Sequence, residues 1–80
     1  MISHLSGTIL HKNEGNLTLD VNGVGYKIFV TGTTLESLKS ASAELWTHLA
    51  VRENAQDLYG FPTREELEFF ELLISISGIG

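Results

Sequence analysis

The sequence predicts a mainly β protein: a five-stranded Greek-key barrel of the OB type followed by a C-terminal α-helix. Three observations predict it. Apolar and polar residues alternate in five runs between residues 5 and 61, with turn residues between the runs. A short stretch between the third and fourth runs breaks the alternation and has the spacing of one helical turn. From Pro62 onward the apolar period changes from two to that of a helix. An SH3-like barrel is the alternative closure of the same strands. Eighty residues hold one small core, since at this size folding hides only about 60% of the surface of the open chain.

Taken in order, Leu5, Gly7 and Ile9 share one parity of a first strand, and Gly7 within it marks a bulge or sharp bend where the sheet can curl. Leu17, Leu19 and Val21 alternate with Thr18 and Asp20 in a second. Asn22-Gly23 then gives a strong hairpin signal, because a type I′ turn needs positive φ at both central residues. Val24, Tyr26, Ile28 and Val30 line one side of a third strand. Thr33-Thr34-Leu35-Glu36-Ser37-Leu38-Lys39 forms the helical turn, capped by Thr33 or Thr34. A long fourth strand, Glu44 to Arg52, carries Leu45, Thr47, Leu49 and Val51 on one side and Trp46, His48 and Ala50 on the other, so both faces are expected to be partly covered. After Glu53-Asn54-Ala55 a short fifth strand runs from Gln56 to Phe61.

Pro62-Thr63-Arg64-Glu65-Glu66 is a helix start with a capping box, in which Thr63 accepts from a first-turn amide and Glu66 reaches back. Leu67, Phe70 and Ile74 line one stripe of this helix with Leu73 beside it; Phe69, Leu72 and Ile76 widen the stripe to a broad apolar face. Glu65, Glu68 and Ser75 face away. Such a face exceeds what a small barrel covers, and the closing Ser77-Gly78-Ile79-Gly80 has the pattern of a turn between two helices. The expectation is that the chain is part of a longer protein in which a second helix follows.

Five Lys and Arg against ten Asp and Glu give a net charge of −5, with Arg64 facing Glu65, Glu66, Glu68 and Glu71 in the last twenty residues. That balance disfavours a lone basic nucleic-acid binder, because phosphate contacts need local positive charge. The absence of cysteine excludes a disulfide-stapled scaffold and a thiolate zinc site. No apolar run approaches the roughly 20 residues of a membrane span, and the start has no basic segment before an apolar one, so a cytoplasmic setting is expected.

Candidate chemistry is sparse. His4, His11 and His48 lack metal-ligand spacing, no nucleophile elbow or P-loop occurs, and Gly23-Val24-Gly25 lies at a hairpin rather than between strand and helix; no catalytic residue, metal or cofactor is expected. Arg52-Glu53-Asn54 fits two readings: a solvated polar turn, or a projecting hairpin whose carboxylate repels phosphate while Arg52 holds one or pairs with Glu53. Gly78-Ile79-Gly80 fits a plain C-cap or a nest of backbone amides for phosphate.

Three stretches together resemble one family. They are Val21-Asn22-Gly23-Val24-Gly25-Tyr26; Thr47-His48-Leu49-Ala50-Val51-Arg52-Glu53-Asn54-Ala55-Gln56-Asp57-Leu58-Tyr59-Gly60-Phe61; and Phe70 through Ser77-Gly78-Ile79-Gly80. In order and spacing they are similar to the N-terminal part of the RuvA family of Holliday junction-binding proteins. The resemblance implies an OB barrel over residues 1–61, and over residues 62–80 the first helix and hairpin start of a truncated helix-hairpin-helix domain. It implies a non-catalytic DNA-binding subunit that acts in recombination and repair as a homotetramer. Its implied partners are Holliday junction DNA, the RuvB ATPase (through a further C-terminal domain) and the RuvC resolvase. The DNA-binding residues it implies are Arg52, Glu53 and Asn54 in an acidic pin at the crossover, and Gly78, Ile79 and Gly80 in the first DNA-gripping turn. The family's pin usually carries two neighbouring carboxylates after an arginine; here Glu53 matches and Asn54 stands at the second place, so a tetramer would bring four formal charges to the centre instead of eight. Two unit charges about 8 Å apart in water interact by only about 0.5 kcal/mol, and a crowded, partly desolvated centre raises that severalfold.

Two other readings compete with this one. One is a stand-alone OB module that stacks single-stranded nucleic acid on exposed aromatics. The other is a purely structural oligomerisation domain.

Overall fold

The computed structural model describes residues 1–77, of which seven segments form regular structure. These are β1 (His4–Asn13), β2 (Asn16–Val21), β3 (Val24–Phe29), α1 (Gly32–Ser37), β4 (Ser42–Arg52), β5 (Ala55–Phe61) and α2 (Arg64–Ser77). The strands close into a barrel in the order β1-β2-β3-β5-β4, with β4 returning to β1. All neighbours are antiparallel except β3 and β5, which meet in parallel at Ile28↔Leu58 and Phe29↔Tyr59. This is the predicted five-stranded OB-type barrel followed by a helix.

The alternation places the core where it was expected. Leu17, Leu19, Ile28 and Leu45 have no solvent exposure, and Leu5, Val30, Ala43 and Leu58 close around them. Val24 and Val51 have the inward parity of their strands but are exposed, because each sits next to a hairpin end beyond the core. Thr47 is the polar member of the inner row; its hydroxyl donates to the Ile2 carbonyl at 2.8 Å, which satisfies a group that would be costly to bury unpaired.

Asn22 (φ 54°) and Gly23 (φ 90°) adopt the left-handed backbone expected of the β2–β3 turn. The bend and the bulge of β1 separate. Gly7 lies where β1 passes from pairing with β4 to pairing with β2, and a Cβ there would stand 2.2 Å from the Asp20 carbonyl oxygen. The register shift itself comes between Ile9 and His11, leaving Leu10 exposed.

The cap of α1 is Thr31, not Thr33 or Thr34. Thr31 Oγ1 accepts from the Thr34 amide at 3.1 Å, and Thr34 is drawn inside as a buried residue of the first turn. Lys12 reaches across from β1 to the other end of α1, donating to the carbonyls of Leu35 (3.1 Å) and Leu38 (2.6 Å). A cation is favoured there, where helix carbonyls lack partners.

Candidate functional site

The site begins with a difference in strand length. β4 and β5 pair continuously from Trp46↔Phe61 out to Arg52↔Ala55. Their outer neighbours stop earlier: β1 flanks β4 over Ser42–Trp46, and β3 flanks β5 at Leu58 and Tyr59. From the pair Ala50↔Asp57 outward, no third strand pairs with the hairpin among the described residues. Three residue pairs at about 3.4 Å each make an overhang of about 10 Å before the turn. Residues 51–56 are all exposed. Arg52, Glu53 and Asn54 therefore lie at the end of a projecting ladder, all three exposed.

The turn at Glu53 and Asn54 differs from that at Asn22-Gly23. Among the described residues other than glycine, only Asn22 has positive φ, so Glu53 and Asn54 both keep backbone angles open to any residue. Nothing in the backbone demands an Asn at position 54, and the tip is free to vary in charge without strain.

The charges on the hairpin are arranged unevenly. Arg52 Nη2 donates to Asp57 Oδ2, so the arginine pairs with Asp57 and not with its neighbour Glu53. Register explains this. Arg52 faces Ala55 and Ala50 faces Asp57, so Arg52 and Asp57 are diagonal cross-strand neighbours within reach of a long side chain. Glu53 makes no side-chain hydrogen bond or ion pair among the described residues and stands exposed at the tip. The sequence reading passed over Asp57. The signal was available, since a two-residue turn after Arg52 puts residue 57 on the diagonal.

The base of the hairpin is anchored by α2. On the outer face of the sheet, Tyr59, Phe61 and His48 surround Phe70, with ring centroids 5.8 Å apart for Tyr59–Phe70, 5.0 Å for Phe61–Phe70 and 5.5 Å for His48–Phe70, and Phe29 packs against Tyr59 at 5.8 Å. His48 Nδ1 also lies 2.9 Å from Glu71 Oε2. Aromatic pairs of this kind add about 0.5–1.5 kcal/mol each beyond area burial. They account for the predicted covering of both β4 faces. The helix start has the expected cap, with the Glu66 amide donating to Thr63 Oγ1 at 3.2 Å; Glu66 reaches back as expected, but Oε2 accepts from the Thr63 hydroxyl at 3.2 Å and not from its backbone amide. Leu67, Phe70 and Ile74 turn toward the barrel, whereas Phe69, Leu72, Leu73 and Ile76 are 48–73% exposed.

The remaining candidates do not converge. His4 bonds Glu44, His11 bonds Asn13 and His48 bonds Glu71, each in a different place. Among the described residues no group of three His, Asp or Glu is placed to hold a metal, and no helix is long and apolar enough to cross a membrane. Trp46 is half-buried with the His4 ring set edge-on to it at 4.6 Å, and Tyr26 packs against the core, so neither forms an open stacking platform. Gly78, Ile79 and Gly80 lie outside the described residues.

Comparison with known proteins agrees with this architecture. Residues 1–60 match the family model of the RuvA N terminal domain. The chain is similar along its whole length to proteins named Holliday junction branch migration complex subunit RuvA. It is 49% identical to that of Trichlorobacter lovleyi, 46% to that of Chloroherpeton thalassium and 49% to that of Pseudomonas fluorescens. It spans 40–41% of the length of these relatives. With three quarters of its residues matched by the family model and relatives nearly half identical from end to end, the chain belongs to the RuvA N-terminal domain family.

Proposed function

We propose that this chain is the N-terminal part of a non-catalytic Holliday junction-binding subunit, and that its β4–β5 hairpin stands at the crossover of the four-way junction. The observation that carries this reading is the hairpin itself: about 10 Å of unflanked ladder ending in Glu53, an exposed carboxylate with no partner among the described residues. A negative charge at the end of a stiff projection repels phosphates and keeps strands from closing over the crossover. Arg52 and Asn54 flank it as the other DNA-facing groups of the tip. The chain's relatives are named as subunits of the branch migration complex, which supports the same assignment.

Residues 1–61 then form the barrel domain, and residues 62–80 begin a helix-hairpin-helix domain. The exposed strip Phe69, Leu72, Leu73 and Ile76 supports this, since an apolar face of that extent is suited to cover by further elements. In this reading Gly78, Ile79 and Gly80 grip the DNA backbone through main-chain amides. The net charge of −5 fits a division of labour in which the barrel shapes the junction and the rest of the subunit supplies the grip. The complete subunit works in the cytoplasm as a homotetramer, with an ATPase motor of the RuvB kind and a RuvC-type resolvase, in recombination and DNA repair.

The test is Glu53→Gln in the full-length subunit, read by binding to a four-way junction and by a fluorescent base analogue at the crossover. Loss of the charge lowers strand opening and raises affinity, because repulsion at the centre is relieved. Unchanged opening together with unchanged affinity rejects the reading.

A further inference from the structure

The overhanging part of the hairpin, residues 50–57, carries three charged groups, Arg52, Glu53 and Asp57, and two of them are used on each other. The Asp57 side chain is only 23% exposed and the Arg52 side chain 57%. The carboxylate is therefore the fixed member, set into the wall of the hairpin, and the long guanidinium arm reaches back to it. Turned the other way, the same arm would lie beside Glu53 and offset the one free charge of the tip.

We propose that Asp57 is a positioning residue for Arg52: it draws the guanidinium back along the stalk, so that the tip presents Glu53 uncompensated and Arg52 takes a DNA phosphate only by giving up Asp57. This rests on the junction-binding reading above and extends it to a residue outside the tip. Its consequence is quantitative. An arginine that is free before binding releases the counterions of the phosphate it neutralises and adds about 0.9 to the salt slope of DNA binding. An arginine that must leave a carboxylate uncovers one anion as it neutralises another, and adds much less. Asp57 thus makes up no second pin carboxylate in place of Asn54, because its charge is already spent within the hairpin.

The experiment is a double-mutant cycle in the full-length subunit, with four-way junction affinity measured over a series of salt concentrations. Asp57→Asn steepens the slope by about 0.9. Arg52→Ala alone changes it by less than half as much, and in the Asp57→Asn background it removes the whole gain. Asp57→Glu, which restores the charge, keeps the wild-type slope. An unchanged slope in Asp57→Asn overturns the proposal. So does a steepening that survives Arg52→Ala, which would mark a long-range charge effect. A readout without DNA separates this proposal from the functional reading. The guanidinium resonances of Arg52 show hindered rotation in the wild type and Asp57→Glu and averaging in Asp57→Asn; averaging in the wild type overturns the positioning role. A wild-type subunit with no preference for junction over linear duplex instead rejects the junction reading and leaves the guanidinium resonances to decide the pairing.

Discussion

The inner and outer halves of the β4–β5 ladder belong to the same two strands and have opposite surroundings. The inner half, Trp46–Leu49 against Leu58–Phe61, has the barrel interior on one face and Phe70 of α2 on the other. The outer half, Ala50–Arg52 against Ala55–Asp57, has neither a flanking strand nor a covering helix among the described residues. Constraint by packing ends, and freedom of charge begins, between the pairs Leu49↔Leu58 and Ala50↔Asp57. Inside, each side chain is set by the volume available to it. Outside, the ladder needs only its own pairing, and the residues it displays can serve a partner.

The largest effect expected from this contrast is on stability. Leu45 and Val51 lie on the same face of β4, six residues apart, the first with no exposure and the second 62% exposed. Leu45→Ala costs about 2–5 kcal/mol through lost burial and the cavity left behind, whereas Val51→Ala stays within about 0.5 kcal/mol. Urea unfolding of the two variants checks this, and comparable losses in both would mean that the outer half is packed as the inner half is.

A sharper probe of the inner half is Gly60. A Cβ at that position would stand 2.6 Å from Ile28 Cγ2 and 3.3 Å from Val30 Cγ1. Ile28 is fully buried, and its Cγ2 methyl is one arm of a branched Cβ with a stiff χ1, so it cannot swing aside. Gly60→Ala is therefore expected to destabilise by about 1–3 kcal/mol as an overpacking change. It should also weaken the β3–β5 contact that closes the barrel, visible as faster amide exchange at Leu58 and Tyr59. Unchanged stability would mean that the parallel seam is looser than its packing indicates.

This contrast also marks what the sequence makes legible. Alternation identifies Leu17, Leu19, Ile28 and Leu45 as core because a half-buried strand imposes a period of two on solvent contact. The capping box at Thr63 and Glu66 is legible because its partners are local. The cap of α1 is less so: three threonines stand in a row of four residues, and burial of Thr34, a tertiary effect, decides that Thr31 is the one. Gly7 shows that a close approach is needed but not whether it is a bulge, since the clash is with the Asp20 backbone on another strand. The overhang of the hairpin depends on where β1 and β3 stop pairing, which no residue of the hairpin records. Glu53 and Asn54 were thus readable as turn residues, and their projection only from the whole barrel.

The smallest stability effect belongs to the tip and bears most directly on its use. Asn54 keeps negative φ, is exposed, and has no side-chain partner among the described residues. Asn54→Asp is nearly isosteric, needs no backbone change, and should move the unfolding free energy by less than about 0.5 kcal/mol. It nevertheless doubles the uncompensated charge of the tip, because Arg52 is engaged by Asp57 and does not offset it. If the tip acts by repelling phosphate, Asn54→Asp increases opening at the crossover in the full-length subunit and lowers junction affinity, the reverse of Glu53→Gln. If Asn54 acts instead as a hydrogen-bond donor to DNA, its loss lowers affinity without increasing opening. The base-analogue signal at the crossover separates the two, because only charge changes the distance between strands while the fold of the hairpin stays the same.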